Sequence, residues 1–517
     1  MSAFSDPVII SSSFLALSIV LILIKIFHIL WWVPSRIQYL LGSQGIKGPS
    51  YRFIYGNTKE IMGMKKEAMA THMSLSSHAV LSKVLPHMDS WINIYGRNHI
   101  QWYGSRAQLI VAEPELIKEI LNNRDRMYPK IEMPAFIKKM LGDGLVSTES
   151  GKWLKLRKLA DYAFHGESLK SMVPEMISSA ELMLERWKLY EGKEIKVYEE
   201  FRILTSEMIS RTAFGSSYLK GKDIFDMLTR LVSLASKNAY KFLFPGISKF
   251  YRTSDVIESD MLVKKIRKCI IEIIKEREYK VKSGEEDNFG SDFFGLLLKA
   301  HHDTNYNQRI SVDDLVDECK TFYLAGQDTT NTLLAWTMFL LATHTDWQEK
   351  ARAEVLNLFG RSGNPNPDGI SKLKIMGMII NESLRLYPPV VANGRKVAKE
   401  VRLGKFILPS NLNLIVSTLA IHHDPQIWGK DVHQFKPERF SGGVAEATKN
   451  NLATFLPFGM GPRNCVGNNF AITEAKITLS MILQRYSFTL SPAYVHLPIY
   501  SLTIRPKHGI QVILHPL

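Results

Sequence analysis

The chain has 517 residues, of which 45% are hydrophobic and 22% are charged, so its composition excludes a disordered or collagen-like protein. The formal net charge of +15 could serve an anionic membrane, an acidic partner protein or nucleic acid. Because the basic residues are mixed with acidic ones and form no concentrated block, we expect no nucleic-acid partner. The three cysteines, Cys269, Cys319 and Cys465, lie too far apart for a disulfide framework or a zinc finger.

A long apolar segment begins near the amino terminus. Residues 8–24 are apolar or hydroxylated throughout, and the run continues past Lys25 to residue 33, which is roughly the length of a bilayer-spanning helix. Trp31 and Trp32 stand at its end, where an aromatic belt would meet the lipid headgroups. A cleavable signal peptide would have a basic leader and a small-residue cleavage site, and a buried core helix would have a polar face. The run therefore predicts an uncleaved membrane anchor.

The residues after this run predict its orientation and the division of the chain. Positive charge on its carboxyl-terminal side predicts a lumenal amino terminus and a cytosolic main body, and it comes from Lys25, Arg36, Lys47 and Arg52. Glycine and proline at 44–57 predict a turn-rich connector. We expect a membrane anchor at 1–33, a Pro/Gly hinge at 34–57 and one large domain at 58–517.

The rest of the chain has the pattern of a mainly α protein with a minor β portion. Residues 103–121 combine two short apolar strands with a helix that an acidic residue leads. Helical periodicity dominates 152–348, with breaks at Gly/Pro clusters such as 244–246 and a charged loop at 280–292. Short strands return after residue 393 and again at the end of the chain.

One cysteine stands in the unusual sequence FLPFGMGPRNCVGNNF. Glycines and a proline crowd around Cys465 and helix-forming residues follow, so a tight loop brings this sulfur to the start of a helix. Backbone N–H groups and the helix dipole favour the anionic thiolate there, which is the form that binds metal. The flanking glycines would let a planar macrocycle approach, and Arg463 could bind a carboxylate at its rim, which suits haem. The alternative, a buried inert thiol, fits Cys269 and Cys319 better.

This loop matches the pattern F-x-x-G-x-R-x-C-x-G at every fixed position, namely Phe458, Gly461, Arg463, Cys465 and Gly467. The chain therefore resembles the cytochrome P-450 family, whose signature this is. The resemblance covers essentially the whole chain and implies a P-450 fold behind one transmembrane helix, haem b as cofactor and the endoplasmic reticulum membrane as location. It also implies that Cys465 is the axial ligand of the iron, donating electron density that favours O–O cleavage.

The segment TFYLAGQDTTNTLLAWTMFLL predicts a long apolar helix that carries one polar group of residues. Threonine hydroxyls that bond back to the preceding turn, with Asp328 at the surface, are one explanation. The resemblance favours another, because Ala325 and Gly326 precede the acid in the family's order A-G-x-D-T-T. It implies that Gly326 leaves space for dioxygen, while Asp328 and Thr329 supply protons and water for O–O cleavage.

One tryptophan and two arginines are expected at the haem propionates. Trp153 and Arg157 share one face of a predicted helix at i, i+4. Alone the pair is unremarkable, since tryptophan is commonly a core residue and arginine an exposed one. The resemblance implies that both contact a propionate, and that Arg395 supplies another such contact.

Glu382 and Arg385, at i, i+3 in NESLRLYPP, could be an ordinary surface pair. The resemblance places Arg439 of the FKPERF segment against them, as a buried network that supports folding and takes no part in the chemistry.

The reaction that the resemblance implies inserts one atom of dioxygen into an apolar small molecule such as a terpenoid, hormone or fatty acid. The electrons come from NADPH through a separate NADPH-cytochrome P-450 reductase. Substrate contacts are expected from 131–146, 390–392 and 499–501. Within the family the chain is similar to the plant branch of cytokinin, gibberellin and brassinosteroid hydroxylases and secologanin synthase.

Two alternatives stay open at this point. A haem-thiolate isomerase or dehydratase needs neither dioxygen nor reductase, but such proteins typically lack the acid and alcohol that Asp328 and Thr329 provide. A membrane haem protein without catalysis is the other.

Overall fold

The computed structural model describes residues 7–123, 126–239, 253–305 and 309–517. The Gly/Pro break predicted at 244–246 lies outside these ranges. Within them the protein is mainly helical with a minor β portion, as the sequence predicted. The helices of the first half are α1 (Pro7–Phe27), α2 (Val33–Gly42), α3 (Thr58–Met69), α4 (Val80–Val84), α5 (Pro86–Tyr95), α6 (Pro114–Asn122), α7 (Ala135–Leu141), α8 (Ser150–Phe164), α9 (Gly166–Trp187), α10 (Val197–Phe214) and α11 (Tyr218–Asn238).

The helices of the second half surround one long central helix. They are α12 (Ser254–Lys282), α13 (Phe293–His301), α14 (Val312–Thr343), α15 (Thr345–Phe359), α16 (Pro367–Lys372), α17 (Lys374–Leu386), α18 (Thr418–His422), α19 (Pro425–Trp428), α20 (Gly443–Ala447) and α21 (Asn468–Arg485). The central helix α14 starts at a capping box, in which Ser311 Oγ accepts from Asp314 N and the Asp314 carboxylate accepts from Ser311 N. Its second half is almost entirely buried, because α10, α17, α21 and β8 pack around it.

Four small sheets lie around the helical core. Their strands are β1 (His99–Tyr103), β2 (Arg106–Val111), β3 (Glu194–Lys196), β4 (Asn393–Lys396), β5 (Val401–Leu403), β6 (Phe406–Leu408), β7 (Asn413–Val416), β8 (Tyr486–Leu490), β9 (Pro498–Ser501), β10 (Thr503–Pro506) and β11 (Gln511–Pro516). The largest sheet has the order β1-β2-β7-β4, with β2 and β7 parallel and Leu109 opposite Leu414. The elements predicted at 103–121 correspond to β1, β2 and α6 in that order, although β1 begins earlier, at His99, and shares only Tyr103 with the predicted range.

The amino-terminal helix is long and apolar enough to cross a membrane. It runs from Pro7 to Gly42 with a π-helical turn at His28–Trp32, and its most apolar part has a mean hydropathy of 2.5 with 6% of that part buried. Such an exposed apolar surface fits membrane anchoring. The helix includes the first nine residues of the predicted hinge, 34–42. The turn-rich connector begins after Gly42.

Candidate active site

A cavity of about 330 Å³ separates α14 from the loop that precedes α21. Most of its surface is apolar, and its two main walls are formed by these two elements. From α14 the wall residues are Thr321, Phe322, Ala325, Gly326, Thr329 and Thr330, and from the loop they are Phe458, Gly459, Arg463, Asn464, Cys465, Val466 and Gly467. The cavity thus brings together the signature loop and the polar group of α14, which lie more than a hundred residues apart in the sequence.

The loop around Cys465 has the shape that its glycines allow. The Cys465 N–H donates to Phe458 O at 2.8 Å, and the chain turns through a short 3-10 helix at Gly461–Arg463. Gly461 has a φ of +72°, and any side chain there would collide with the Leu121 carbonyl oxygen. Glycine is therefore required at this position by both its conformation and its packing. Gly467 caps the start of α21, two residues after the sulfur.

The Cys465 side chain faces the cavity. Burial raises the pKa of its thiol, while the Gly467 backbone N–H and the Arg157 charge lower it. The helix start therefore contributes a favourable hydrogen bond, as expected, but desolvation is the larger effect in the protein alone. A metal cation next to the sulfur would reverse this balance, because a coordinating thiol loses its proton outright.

Basic side chains gather at one rim of the cavity. The Arg463 guanidinium lies 4.2 Å from the Trp153 ring centre and pairs with Glu149 at 2.5 Å. Burial, together with the charges of its neighbours Arg395 and Arg463, lowers the pKa of Lys130 to about 7. Burial and the Arg463 charge lower the pKa of Arg395 to about 10. The Glu149 carboxylate raises the pKa of Lys130, Arg395 and Arg463 alike, so three cations share one anionic neighbour. This arrangement fits an anionic ligand.

Lys130 lines the cavity, and sequence analysis missed it. No motif surrounds it, and it meets Arg395 only through a β-bridge between residues far apart in the chain. A spacing pattern could not have identified it.

Arg157 has a different role from the other rim residues in this structure. Its guanidinium donates to the Asn464 carbonyl oxygen at 2.6 Å and to Asn464 Oδ1 at 2.9 Å, and it pairs with Asp161 at 3.0 Å. Both Trp153 and Arg157 line the cavity, as their i, i+4 spacing predicted for one helix face. The contacts of Arg157, however, hold the residue next to Cys465 in place.

The two polar residues Thr329 and Asp328 of α14 have different surroundings. Thr329 lines the cavity, and its hydroxyl donates back to Ala325 O at 2.6 Å, the bond that the simpler explanation foresaw. Asp328 is not among the described residues that line the cavity. Its carboxylate accepts from the Thr503 hydroxyl at 2.9 Å, and burial raises its pKa. The suggestion that Asp328 lies at the surface is therefore wrong.

Gly326 makes room for a neighbouring helix. A Cβ at this position would lie 2.6 Å from Ile209 Cγ1 of α10. The missing side chain thus lets α10 and α14 approach closely, and both Gly326 and Ile209 line the cavity. Ala325, which the sequence interpretation placed beside Gly326, is exposed to the cavity.

Glu382, Arg385 and Arg439 meet outside the cavity. Arg385 pairs with Glu382 through two hydrogen bonds of 2.7 Å, and both side chains are 0% exposed. Arg439 Nε lies 3.5 Å from Glu382 Oε1. Arg385 also donates to the carbonyl oxygens of His422 and Val432, and His422 Nε2 accepts from Leu456 N at 2.8 Å. The group therefore connects α17 to the chain that leads into the Cys465 loop.

The segments expected to contact substrate differ in position. Leu145 and Val146 from the first and Val390 from the second line the cavity. Residues 499–501 form part of β9, which pairs with β10, and they are absent from the described residues of the cavity wall.

Comparison with known proteins identifies the family. The model of the family described as cytochrome P450 matches residues 86–514. Cytochrome P450 CYP749A22 of Panax ginseng is 56% identical over 506 residues, which cover 98% of this chain and 96% of that protein. Cytochrome P450 734A1 of Arabidopsis thaliana is 40% identical, with 96% of each chain covered. The 11-oxo-beta-amyrin 30-oxidase of Glycyrrhiza uralensis is 40% identical, with 94% of each covered.

The fold has a solved counterpart. The crystal structure of the cytochrome P450DA heme domain superposes with a TM-score of 0.72 at 24% identity and covers 82% of this chain and 90% of that one. Matches of this extent, around a cysteine loop that faces an apolar cavity, define a haem-dependent monooxygenase, and the chain belongs to the cytochrome P450 family. The plant origin of its relatives makes it a plant-type member.

Members of this family bind haem b, and the residues of the cavity fit that group. The apolar walls suit the faces of a porphyrin, the Cys465 sulfur can reach an iron, and the basic rim suits the two propionates.

Proposed function

We propose that this protein is an endoplasmic reticulum monooxygenase that oxidises an apolar small molecule with electrons from NADPH, delivered by NADPH-cytochrome P450 reductase. The observation that carries the proposal is that Cys465 and Thr329, from two different elements, line one apolar cavity. In this arrangement an iron ligand and a hydroxyl group face the same enclosed space.

Cys465 is the proposed axial ligand, and the rim cations are the proposed propionate partners. Phe458 and Gly467 line the cavity on either side of the sulfur, and Gly461 sets the turn between them. When bound, the haem supplies the activation of dioxygen and the oxidation itself, and the protein supplies binding, orientation and protons. Arg395 is not among the described residues that line the cavity, but it forms a β-bridge with the lining residue Lys130, and its charge lowers the pKa of Lys130.

Thr329 and Asp328 are the proposed groups for proton supply. The Thr329 hydroxyl donates its hydrogen bond to Ala325 O. Its oxygen can therefore accept a hydrogen bond from water or from a ligand in the cavity. Asp328 precedes Thr329 in the chain, and burial raises the pKa of its carboxyl.

The proposed substrate is a terpenoid-like molecule. Leu145, Val146, Phe322 and Val390 give the side opposite Cys465 an apolar surface. A relative that is 40% identical over nearly the whole chain carries the name 11-oxo-beta-amyrin 30-oxidase. Triterpenoids therefore head the substrate panel, followed by hormones and fatty acids.

The test uses the full chain in microsomes with a plant reductase. We expect reduced, carbon-monoxide-treated membranes to give the thiolate-type Soret band, and NADPH consumption to yield an oxygenated product from the panel. Cys465→Ser should abolish both, because serine supplies no thiolate. Cys269→Ser, on the partly buried face of α12, is the matched control and should leave both intact. An unchanged spectrum in Cys465→Ser would refute the ligand assignment, and NADPH-independent rearrangement of substrate would favour the isomerase alternative.

A further inference from the structure

The central helix α14 holds the loop after α7 through three side chains. Asp317 Oδ2 accepts from Asp143 N at 2.7 Å, and Glu318 Oε1 accepts from Leu145 N at 2.5 Å. One turn later the Thr321 hydroxyl donates to Leu141 O at 2.9 Å. Asp317, Glu318 and Thr321, named the loop clamp below, therefore bind the backbone of residues 141–145 and not their side chains.

Two glycines bring the loop into close contact with this helix. A Cβ at Gly144 would lie 2.7 Å from Glu318 Oε1 and 2.8 Å from Thr321 Oγ1. A side chain at Gly142, which has a φ of +70°, would collide with the Asp317 carboxylate. The two glycines thus permit the close approach on which the backbone hydrogen bonds depend.

Glu318 is the buried member of the clamp. Its side chain is 0% exposed, and its Oε1 accepts a hydrogen bond from Leu145 N. Burial raises its pKa to about 8, which reflects the cost of placing a carboxyl group here. Removing it would leave the Leu145 N–H buried without an acceptor, and that loss costs more than the net value of one exposed hydrogen bond.

The held loop continues directly into the cavity wall. Leu145 and Val146 line the cavity, and so do Thr321 and Phe322 of the helix that holds them. The position of Leu145 is therefore determined by a hydrogen bond to its own N–H. A shift of this loop would move Leu145 and Val146 within the cavity wall.

We propose that Glu318 is a positioning residue that determines which ligands fit the cavity, by fixing Leu145 and Val146 through the loop clamp. This inference rests on the proposed function, since it assumes that ligands bind between the loop and Cys465. Glu318 acts through the loop and touches no reacting atom.

The test compares two haem-binding probes of different size in the full chain in nanodiscs. Imidazole reaches only the iron, whereas clotrimazole also fills the space beside the loop. We expect Glu318→Leu to weaken clotrimazole about ten-fold in a spectral titration and to leave imidazole unchanged. Amide hydrogen exchange at residues 141–147 should accelerate by about the same factor. Glu318→Gln keeps an acceptor oxygen and should behave as the parent protein in both measurements.

Two controls separate positioning from general destabilisation. Glu354 of α15 likewise accepts backbone N–H groups, from Lys374 at 2.7 Å and Ile375 at 2.8 Å, at a helix start away from the cavity. Glu354→Leu should alter neither the clotrimazole affinity nor the exchange at 141–147. If Glu318→Leu does not fold, Gly144→Ala offers a second way to displace the loop and should give the same clotrimazole effect. Its control is Gly151→Ala, since a Cβ at Gly151 meets nothing within 4 Å.

Equal weakening of imidazole and clotrimazole in Glu318→Leu, or unchanged exchange at 141–147, would overturn the proposal. Failure of the proposed function is distinguished by the carbon-monoxide spectrum of the parent protein, which does not depend on the clamp.

Discussion

The cations at the cavity rim carry more charge than their protein neighbours balance. The charges of Arg395 and Arg463 lower the pKa of Lys130, the Arg463 charge lowers that of Arg395, and the Glu149 carboxylate raises the pKa of all three. Buried cations that repel one another favour an anionic ligand beside them. A carboxylate-bearing macrocycle would convert this repulsion into charge-assisted hydrogen bonds.

At this rim we expect Lys130→Met to release haem faster than the parent protein. Loss of one charge-assisted hydrogen bond corresponds to about ten-fold or more in affinity. The measurement is the rate of haem transfer from the purified protein to apomyoglobin. Lys130→Arg should retain most of the affinity, and Lys138→Met, at an exposed position of α7, should change nothing. Equal rates for Lys130→Met and Lys138→Met would remove Lys130 from the site.

Thr329 permits a second comparison within one helix. Thr337 makes the same bond as Thr329, with its hydroxyl donating to Leu333 O at 2.8 Å, but it is buried away from the cavity. We expect Thr329→Val to lower the product formed per NADPH roughly 100-fold, because the cavity loses its hydroxyl, while Thr337→Val leaves that ratio unchanged. Product and NADPH are quantified in the same reaction. Unchanged coupling in Thr329→Val would assign this hydroxyl to the helix alone.

Among the elements, those with a local sequence pattern were predicted and those made by distant contacts were not. The second part of α14 was predicted because its sequence is long and mostly apolar, and β1, β2 and α6 were predicted because two short apolar strands are followed by an acid-led helix. The loop clamp was missed, since it depends on backbone groups of residues 141–145 that meet α14 only after folding. The contact of Gly326 with Ile209 was missed for the same reason, because Ile209 is remote in sequence.

The group of Glu382, Arg385 and Arg439 belongs to this scale, because it joins elements and lies outside the cavity. Removing one member leaves charges buried without a partner, so we expect Glu382→Ala to destabilise the protein by about 3–5 kcal/mol. Glu272→Ala removes an exposed α12 pair whose atoms lie 3.9 Å apart, and it should cost less than about 1 kcal/mol. Urea unfolding followed by fluorescence, with the carbon-monoxide band as a second probe, measures both. Similar midpoints for the two variants would contradict a structural role.

The molecule as a whole joins its apolar helix to the large domain through aromatic contacts. The Tyr51 hydroxyl donates to Leu30 O at 2.5 Å, and the Tyr51 ring lies 5.0 Å from that of Trp102 in β1. Trp31 lies 6.1 Å from Phe53. The segment predicted to be a hinge at 34–57 therefore packs against both the helix that precedes it and the sheet that follows it, an arrangement that restricts bending.

Two truncations test the proposed division of the chain at 33 and 57. A chain that starts at residue 34 loses the apolar helix but keeps Asn57, which is 1% exposed and accepts from Trp102 N at 2.9 Å through its side chain. We expect alkaline carbonate to release this chain from membranes with its carbon-monoxide band intact, whereas the full chain stays in the pellet.

A chain that starts at residue 58 also loses Asn57, so the Trp102 N–H is left buried without its acceptor, at a cost of about 1–3 kcal/mol. Its thermal midpoint should therefore fall below that of the chain starting at 34, and Asn57→Ala in the full protein should reproduce part of the loss. Equal midpoints for the two truncated chains would mean that 34–57 acts only as a spacer. Carbonate-resistant binding of both would mean that a surface outside the apolar helix inserts into the bilayer.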